Sequence, residues 1–336
     1  MPGTRPAAAL AMDEKAADAV LKPAAKRRLA QAVDLSPTVL TDFTTAEART
    51  VLARTRLLIT GWGCPPLDAE ALAHAPGLRA VVHTAGSVRG HVTQACWARG
   101  IEVSTAAAAN AAPVAEYTLA MILLANKRVL PAARAYRERR SRGEWLLADP
   151  TLGNYRRTVG ILSASLVGRR VMELLRPHDL RVLLHDPYVT EEQAAALGAV
   201  KAGLPQVFAA SDVVSVHTPL LPATRGLVGG DLLALLRDGA TLINTARGAV
   251  LDQDALTDQV RRGRLNAVLD VTEPEVLPAG HPLWECDNAL LTPHLAGSQG
   301  NELDRLAESA VQEVFRWAAG ERFAHAVRPE HRNLLA

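Results

Sequence analysis

Three short segments of this 336-residue chain combine side chains that can do acid–base chemistry on a carboxylate. Ile243-Asn244-Thr245-Ala246-Arg247-Gly248 carries an arginine just past an apolar run. Leu269-Asp270-Val271-Thr272-Glu273-Pro274-Glu275 carries two glutamates in the same position. Leu291-Thr292-Pro293-His294-Leu295-Ala296-Gly297-Ser298 carries a histidine. Arginine's planar fork can grip a carboxylate with two parallel hydrogen bonds and polarise the adjacent carbonyl. Histidine exchanges a proton near neutral pH, and a neighbouring carboxylate orients it and favours its charged form. Arg247, Glu273 or Glu275, and His294 therefore suit reduction of a 2-oxo acid, with the hydride supplied by a cofactor.

A fourth segment offers a place for that cofactor. The apolar run Thr158–Leu162 leads into Ser163-Ala164-Ser165-Leu166-Val167-Gly168, then a helical stretch that Pro177 ends, then a second apolar run closing at His185-Asp186. This is the setting of a dinucleotide-binding βαβ unit, with Asp186 at roughly the 20-residue spacing of a ribose-binding acid. Asp186 would accept from the ribose hydroxyls of NAD and repel the extra phosphate of NADP. A GxGxxG loop would place glycine at 163, 165 and 168, and only Gly168 is present. Gly168 keeps the close helix–strand packing, whereas Ser163 and Ser165 put a Cβ and a hydroxyl where the pyrophosphate presses. On sterics, glycine at both positions is expected to strengthen cofactor binding. A serine hydroxyl can also donate to a phosphate oxygen, and the helix N-terminus still favours an anion.

Positioning these residues requires strands whose carboxyl ends converge. Apolar runs read as strands at Arg56–Thr60, Arg79–His83, Ile101–Ser104, Thr158–Leu162, Arg181–His185, Val213–His217, Thr241–Asn244, Ala267–Asp270 and Ala289–Thr292. They are apolar throughout, as strands buried on both faces are. Helical patterns lie between them, among them Asp68–Ala75, Gly168–Leu175, Ala223–Leu236 and Asp252–Arg262. The alternation predicts βαβ units and parallel sheets, and the strand number predicts two α/β domains. One crossing is placed near Ser104–Asn110, where Asn110 can cap a helix with Pro113 in its first turn and Val114–Val129 as its body. The second is placed at Leu295–Gly300, before an amphipathic helix over about Glu302–Ala319. Glu321 onward, with Arg322, Arg328 and Arg332, reads as a solvated tail, and Met1–Arg5 as a loose end.

Composition excludes several other classes. Apolar residues are 49% and charged residues 21%, which argues against a disordered or fibrous chain. Lys plus Arg is 37 against 35 for Asp plus Glu, a net charge of +2, so no nucleic-acid partner is expected. Cys64, Cys96 and Cys286 stand far apart with no CxxC pair, which argues against a zinc ribbon, a redox pair or a disulfide framework and fits a reducing compartment. The apolar stretch Ala7–Met12 is cut by Asp13-Glu14-Lys15, too soon for a signal segment. Thr105–Asn126 contains Asn110, Pro113 and Glu116, which argues against a membrane span. A soluble cytoplasmic protein is expected.

Beyond the three site segments, the chain carries Ala106-Ala107-Ala108-Ala109-Asn110 with Val114-Ala115-Glu116, and His217-Thr218-Pro219-Leu220 with Thr224-Arg225-Gly226. With Asn244–Gly248 and Thr292-Pro293-His294, these motifs resemble the D-isomer-specific 2-hydroxyacid dehydrogenases, over about Leu57 to Gly320. The resemblance implies two Rossmann-like parallel-sheet domains, one flavodoxin-like and one dinucleotide-binding, with a cleft between them. The implied substrate-binding domain is 1–108 plus 297–336, and the implied Rossmann domain is 109–296. It implies Arg247 as substrate clamp and His294 as acid/base. Counted from Asp270, the family's glutamate falls on Glu275, followed here by Val276 rather than the usual proline.

The same resemblance implies that backbone of Thr84-Ala85-Gly86-Ser87-Val88, with Ala85, Gly86 and Ser87 at its centre, holds the substrate carboxylate. Trp62 would wall the pocket, and Arg89 is a candidate for a second anionic group. NAD, in preference to NADP, would meet Ser163, Ser165, Leu166, Val167, Gly168, Asp186, His217, Thr218, Pro219, Thr245, Ala246, Asp270 and Gly297. Where the family keeps its glycines and often a basic residue before the third, this chain has two serines, Leu166 and Val167. That departure leaves a second reading: a member that has lost or altered dinucleotide binding and does non-redox acid–base chemistry on a carboxylate-bearing metabolite. A non-catalytic binding protein on the same fold is the third. No metal is expected. A helix and loop near Val114–Leu152 would form a homodimer interface.

Overall fold

The computed structural model describes residues 5–141 and 152–328. The chain forms two units, Met1–Asn110 with Ser298–Ala336, and Ala111–Gly297. The first holds a five-stranded parallel sheet of β1 (Ala7–Ala11), β2 (Asp34–Leu40), β3 (Leu57–Thr60), β4 (Ala80–His83) and β5 (Glu102–Thr105), in the order β2-β1-β3-β4-β5. The second holds seven parallel strands: β6 (Arg157–Leu162), β7 (Leu180–His185), β8 (Val200–Lys201), β9 (Val213–Val216), β10 (Thr241–Asn244), β11 (Asn266–Leu269) and β12 (Ala289–Leu291). Their order is β12-β11-β10-β9-β6-β7-β8. The first order is that of flavodoxin-like sheets, and the second is the Rossmann order with one strand added. In the second unit the order reverses between β6 and β9, so a ligand crevice is expected outside the carboxyl ends of those two strands.

Both sheets are covered on two faces, as the uniformly apolar strands require. Along β3 and β4, Leu58 and Val81 enter one core, while Leu57, Ile59, Ala80 and Val82 enter the other. In the second unit, Leu162, Val214, Val216, Leu242 and Leu269 face one core, and Val159, Ile161, Val213, Ile243 and Val268 the other. The helix Ala107–Asn126 is long and apolar enough to cross a membrane, but its Ala115 and Ile122 pack into this second core.

Several elements differ from the sequence expectations, each for a local reason. β1, β2 and β8 went unread: β1 is four-fifths alanine, β2 is an edge strand that tolerates Pro37, and β8 is a two-residue exposed edge. The helix of the first crossing starts at Ala107, so Asn110 lies inside it and caps nothing; its Oδ1 instead accepts the backbone N–H of Ser298 at 2.9 Å. Pro113 sits in the helix's second turn. That helix stops at Asn126; Arg128 turns left-handed (φ 47°) and a second helix, Val129–Arg139, begins. The expected helix Ala223–Leu236 is only Gly230–Leu235, because the Thr224 hydroxyl donates to Pro219 O (2.6 Å) and accepts from Leu221 N (2.8 Å), locking a turn.

The chain beyond Glu321 is not simply a solvated tail. Phe323 and Val327 are buried, and Val327 N donates to Val103 O beside β5 at 2.7 Å. The buried Glu313 carboxylate of the Leu303–Ala318 helix organises it, accepting from Ser104 Oγ (2.6 Å), Ala324 N (3.1 Å) and His325 N (3.2 Å). Arg332 lies outside the described residues, as does 142–151 of the expected dimer segment.

Candidate active site

His294 is held by a loop wrapped around one buried carboxylate. Asp270 follows β11, and its Oδ1 accepts from Thr292 Oγ1 (2.6 Å) and Leu295 N (2.9 Å), its Oδ2 from Ala296 N (3.0 Å). Its carbonyl accepts from His294 N at 2.9 Å. The Tyr117 hydroxyl, on the Ala107–Asn126 helix, reaches Thr292 Oγ1 at 3.0 Å. Between these anchors His294 adopts φ 53°, a left-handed conformation uncommon outside glycine and maintained only where surroundings over-determine it. Asp270, expected among the cofactor contacts, uses its carboxylate to shape the histidine loop.

The imidazole meets one glutamate. His294 Nδ1 lies 2.5 Å from Glu275 Oε1, and both side chains remain about half exposed, at 50% and 59%. With Nδ1 committed to the carboxylate, Nε2 is the nitrogen left for a substrate. Glu273 does not reach the histidine. Gln253 brackets its backbone, accepting from Glu273 N (2.9 Å) and donating to its carbonyl (2.7 Å), while its carboxylate stands 3.9 Å from Arg225. The Thr272 hydroxyl donates to the carbonyls of Pro274 (2.8 Å) and Glu275 (3.0 Å), curling that loop toward Glu275.

Arg247 follows β10 through a turn built by buried Asn244. Its Oδ1 accepts from Ala246 N (3.0 Å) and its Nδ2 donates to Arg247 O (2.9 Å). The half-buried Arg247 guanidinium donates to Ala246 O at 2.6 Å. Gly248 lets this turn rest on the glutamate loop: a Cβ there would fall 2.1 Å from the Thr272 carbonyl carbon. Gly248→Ala is therefore expected to force the two loops apart, costing about 1–3 kcal/mol of stability. An unchanged urea midpoint would refute that close packing.

The phosphate loop keeps a glycine-type conformation at its first position without the glycine there. Ser163 has φ 75°, its N–H donates to His185 O (2.8 Å), and its Oγ lies 2.9 Å from Thr218 Oγ1. A Cβ on Gly168 would stand 2.1 Å from Ser163 O, so only glycine fits there. Ser165 caps the Leu166–Leu175 helix, its Oγ accepting from Gly168 N at 3.3 Å. Arg169 Nε donates to Ala164 O at 2.8 Å, and Leu166 is exposed while Val167 is half-buried. Asp186 is buried, with Oδ2 accepting from Ala164 N and Oδ1 from Tyr188 N, both at 2.8 Å. It ties the loop to the end of β7 and retains lone pairs, since an ionised carboxylate accepts about four hydrogen bonds. A left-handed first residue, a glycine at the third position and an open helix N-terminus are the features a dinucleotide pyrophosphate needs, so these residues fit that group.

The remaining expected residues are distributed between the units. His217 is buried at the end of β9 with Nε2 3.0 Å from Ser215 Oγ, and burial pushes its imidazole down to about 3. Its Cβ lies under Gly168, 3.5 Å from where a Cβ on that glycine would stand. Thr218 and Ala246 are buried, Pro219 and Gly297 partly so, and Thr245 Oγ1 lies 3.2 Å from Thr118 Oγ1. Trp62, Ala85, Gly86 and Ser87 belong to the first unit, past β3 and β4. Trp62 is exposed and its carbonyl accepts from Asp13 N at 2.9 Å. Beneath the segment 84–88 lies a cluster no motif announced: Thr60 Oγ1 sits 2.9 Å from His83 Nδ1 and 3.1 Å from His91 Nε2.

Comparison with known proteins places these features in a family. Residues 119–296 match the NAD binding domain of D-isomer specific 2-hydroxyacid dehydrogenases. The chain is 33% identical over 264 residues to D-3-phosphoglycerate dehydrogenase of Mycobacterium tuberculosis, covering 78% of this chain and 49% of that protein. It thus spans about half the length of that relative. It is 33% identical over 286 residues to (S)-sulfolactate dehydrogenase of Chromohalobacter salexigens, covering 81% of this chain and 90% of that one. Among solved structures, the TT0316 protein of Thermus thermophilus superposes with a TM-score of 0.74 at 28% identity, covering 96% of this chain and 99% of that one.

Proposed function

Because the chain belongs to the D-isomer specific 2-hydroxyacid dehydrogenases, we propose that it interconverts a 2-oxo acid and a D-2-hydroxy acid with NAD(H). The observation that carries this reading is the 2.5 Å contact between His294 Nδ1 and Glu275 Oε1, on two half-exposed side chains. Arg247 grips the substrate carboxylate and polarises the neighbouring carbonyl. The family resemblance assigns backbone at Ala85, Gly86 and Ser87, and Trp62, to the substrate as well. When bound, NADH supplies a hydride for the carbonyl carbon. As the carbonyl electron pair moves onto oxygen, His294 Nε2 gives that oxygen its proton, and Glu275 at Nδ1 fixes the orientation of the imidazole. Oxidation runs through the same groups in reverse.

Asp186 beside the loop favours NADH over NADPH, because its carboxylate repels a 2′-phosphate. The exposed Val129, Leu130 and Tyr136 on the Val129–Arg139 helix support a homodimer. A cytoplasmic location fits the three free thiols. The serines of the phosphate loop favour one other reading, in which the His294–Glu275–Arg247 group does non-redox acid–base chemistry on a carboxylate-bearing metabolite, or binds it without turnover.

Calorimetric titration with NADH and NADPH separates these readings. Micromolar NADH binding, much weaker NADPH binding and turnover of a 2-oxo acid are expected. Absence of binding of either up to millimolar concentration would transfer the case to the second reading. Glu275→Gln removes the carboxylate that orients the imidazole through Nδ1, so kcat for reduction is expected to fall while NADH binds as to the parent. An unchanged kcat would deny Glu275 its role.

A further inference from the structure

The two serines of the phosphate loop are not equivalent, and their hydrogen bonds divide the work between them. Ser163 takes the left-handed conformation, φ 75°, that glycine would supply. The Thr218 hydroxyl lies 3.4 Å from Leu162 O as donor and 2.9 Å from Ser163 Oγ. Either hydroxyl can donate in the shorter pair, and in both cases it joins Ser163 to Thr218. The Ser163 hydroxyl is thus a tether holding a strained residue in place. Ser165 is the opposite case. Its Oγ accepts from Gly168 N at 3.3 Å, which uses a lone pair and leaves the hydroxyl hydrogen uncommitted. It sits half-buried at the N-cap of a ten-residue helix, beside the first-turn N–H groups of Leu166 and Val167, which have no carbonyl partner within the helix.

We propose that the Ser165 hydroxyl donates a hydrogen bond to the cofactor pyrophosphate, while Ser163, tethered to Thr218, holds the loop in the shape that glycine normally provides. The loop is then a hydroxyl-bearing phosphate cradle, with the Ser165 hydroxyl standing in for the close backbone approach that glycine allows. The inference rests on the NAD(H) reading above and specifies the residue that carries the phosphate contact. It reverses the steric expectation: glycine at position 165 removes a donor and weakens binding.

The test is calorimetric titration with ADP-ribose, which carries the pyrophosphate but no nicotinamide, so the readout is independent of turnover. Ser165→Ala keeps the Cβ and removes the hydroxyl; it is expected to weaken ADP-ribose binding about ten- to hundredfold, the scale of a lost hydrogen bond to a charged group. Ser165→Gly is expected to weaken it as well. Ser165→Asp remains a good N-cap but carries no hydrogen and repels phosphate, so it is expected to keep the parent's melting temperature and lose binding. Ser165→Thr, with both cap and hydroxyl, is expected to bind within a few-fold of the parent. Unchanged binding by Ser165→Ala, or tighter binding by Ser165→Gly, overturns the proposal while leaving the cofactor reading intact. Failure of the parent itself to bind ADP-ribose or NADH overturns both.

Discussion

Replacement of His294 by asparagine is expected to lower kcat by about 10²–10⁴-fold, the usual scale for losing a positioned general acid, while NADH still binds as to the parent. Asparagine is the informative choice for a backbone reason. His294 sits at φ 53°, and asparagine is among the few residues that tolerate the left-handed region. The loop should therefore keep its bonds to Asp270: His294 N to the carbonyl, and Leu295 N and Ala296 N to the carboxylate. What disappears is the titrating nitrogen opposite Glu275. Calorimetry with NADH and steady-state reduction of the best 2-oxo acid, measured on the same preparation, separate chemistry from folding. Activity within tenfold of the parent would remove His294 from the proton-transfer role. Loss of both binding and activity would show that the loop had collapsed.

The strands that carry this site were legible because each is apolar on both faces. Runs such as Val213–Val216 and Thr241–Asn244 are Val-, Ile- and Leu-rich, and every residue in them is buried. β1 was not legible, since alanine carries no β-signal and only pairing with β2 and β3 makes Ala7–Ala11 a strand. Helix starts failed where a long-range partner intervened. Asn110 has the residue type of a cap, but Ser298, distant in sequence, claims its side chain. The tail after Glu321 looked solvated because its charges dominate the composition; the buried carboxylate that fixes it, Glu313, lies on a helix whose pattern does not say what approaches it.

The site divides in the same way. Arg247 and His294 follow strand ends, where ligands of parallel sheets bind, so residue type and position pointed to them together. Which glutamate faces the histidine was open on chemistry alone. It is decided by Thr272 and Gln253, which fold the segment so that Glu275 faces His294. Asp270 and Asp186 illustrate the limit: beyond the ligand roles the sequence suggests, each carboxylate accepts backbone N–H groups that arise only once two loops have met. A side chain's partners across a loop leave no periodic trace in sequence.

Stability is expected to fall steeply as pH drops from about 6.5 toward 4, because three histidines are buried in neutral form. Burial pushes His83 down to about 3, with the nearby His91 adding to the effect; His91 is pushed down to about 4 and His217 to about 3. Each folded value lies below the unfolded one of about 6.5. Above that pH neither state binds the proton, and stability is complete. Below it the unfolded chain takes up three protons that the folded chain refuses until pH 3–4, so folding free energy is lost at about 1.4 kcal/mol per pH unit per histidine. At pH 5 this amounts to about 2 kcal/mol for each histidine, a large share of the stability of an ordinary domain. The window between pH 6.5 and 5 isolates the histidines, since ordinary carboxylates titrate lower. Two of the three share the Thr60 hydroxyl, with ring centroids 4.6 Å apart, so protonating either places a charge beside the other and beneath the 84–88 segment. Urea midpoints measured from pH 7.5 to 5 are expected to decline throughout that window, and hydrogen exchange at residues 84–91 to accelerate with them. A midpoint that stays flat to pH 5 would mean that these imidazoles take up protons while folded, and that the Thr60 cluster opens to water without unfolding.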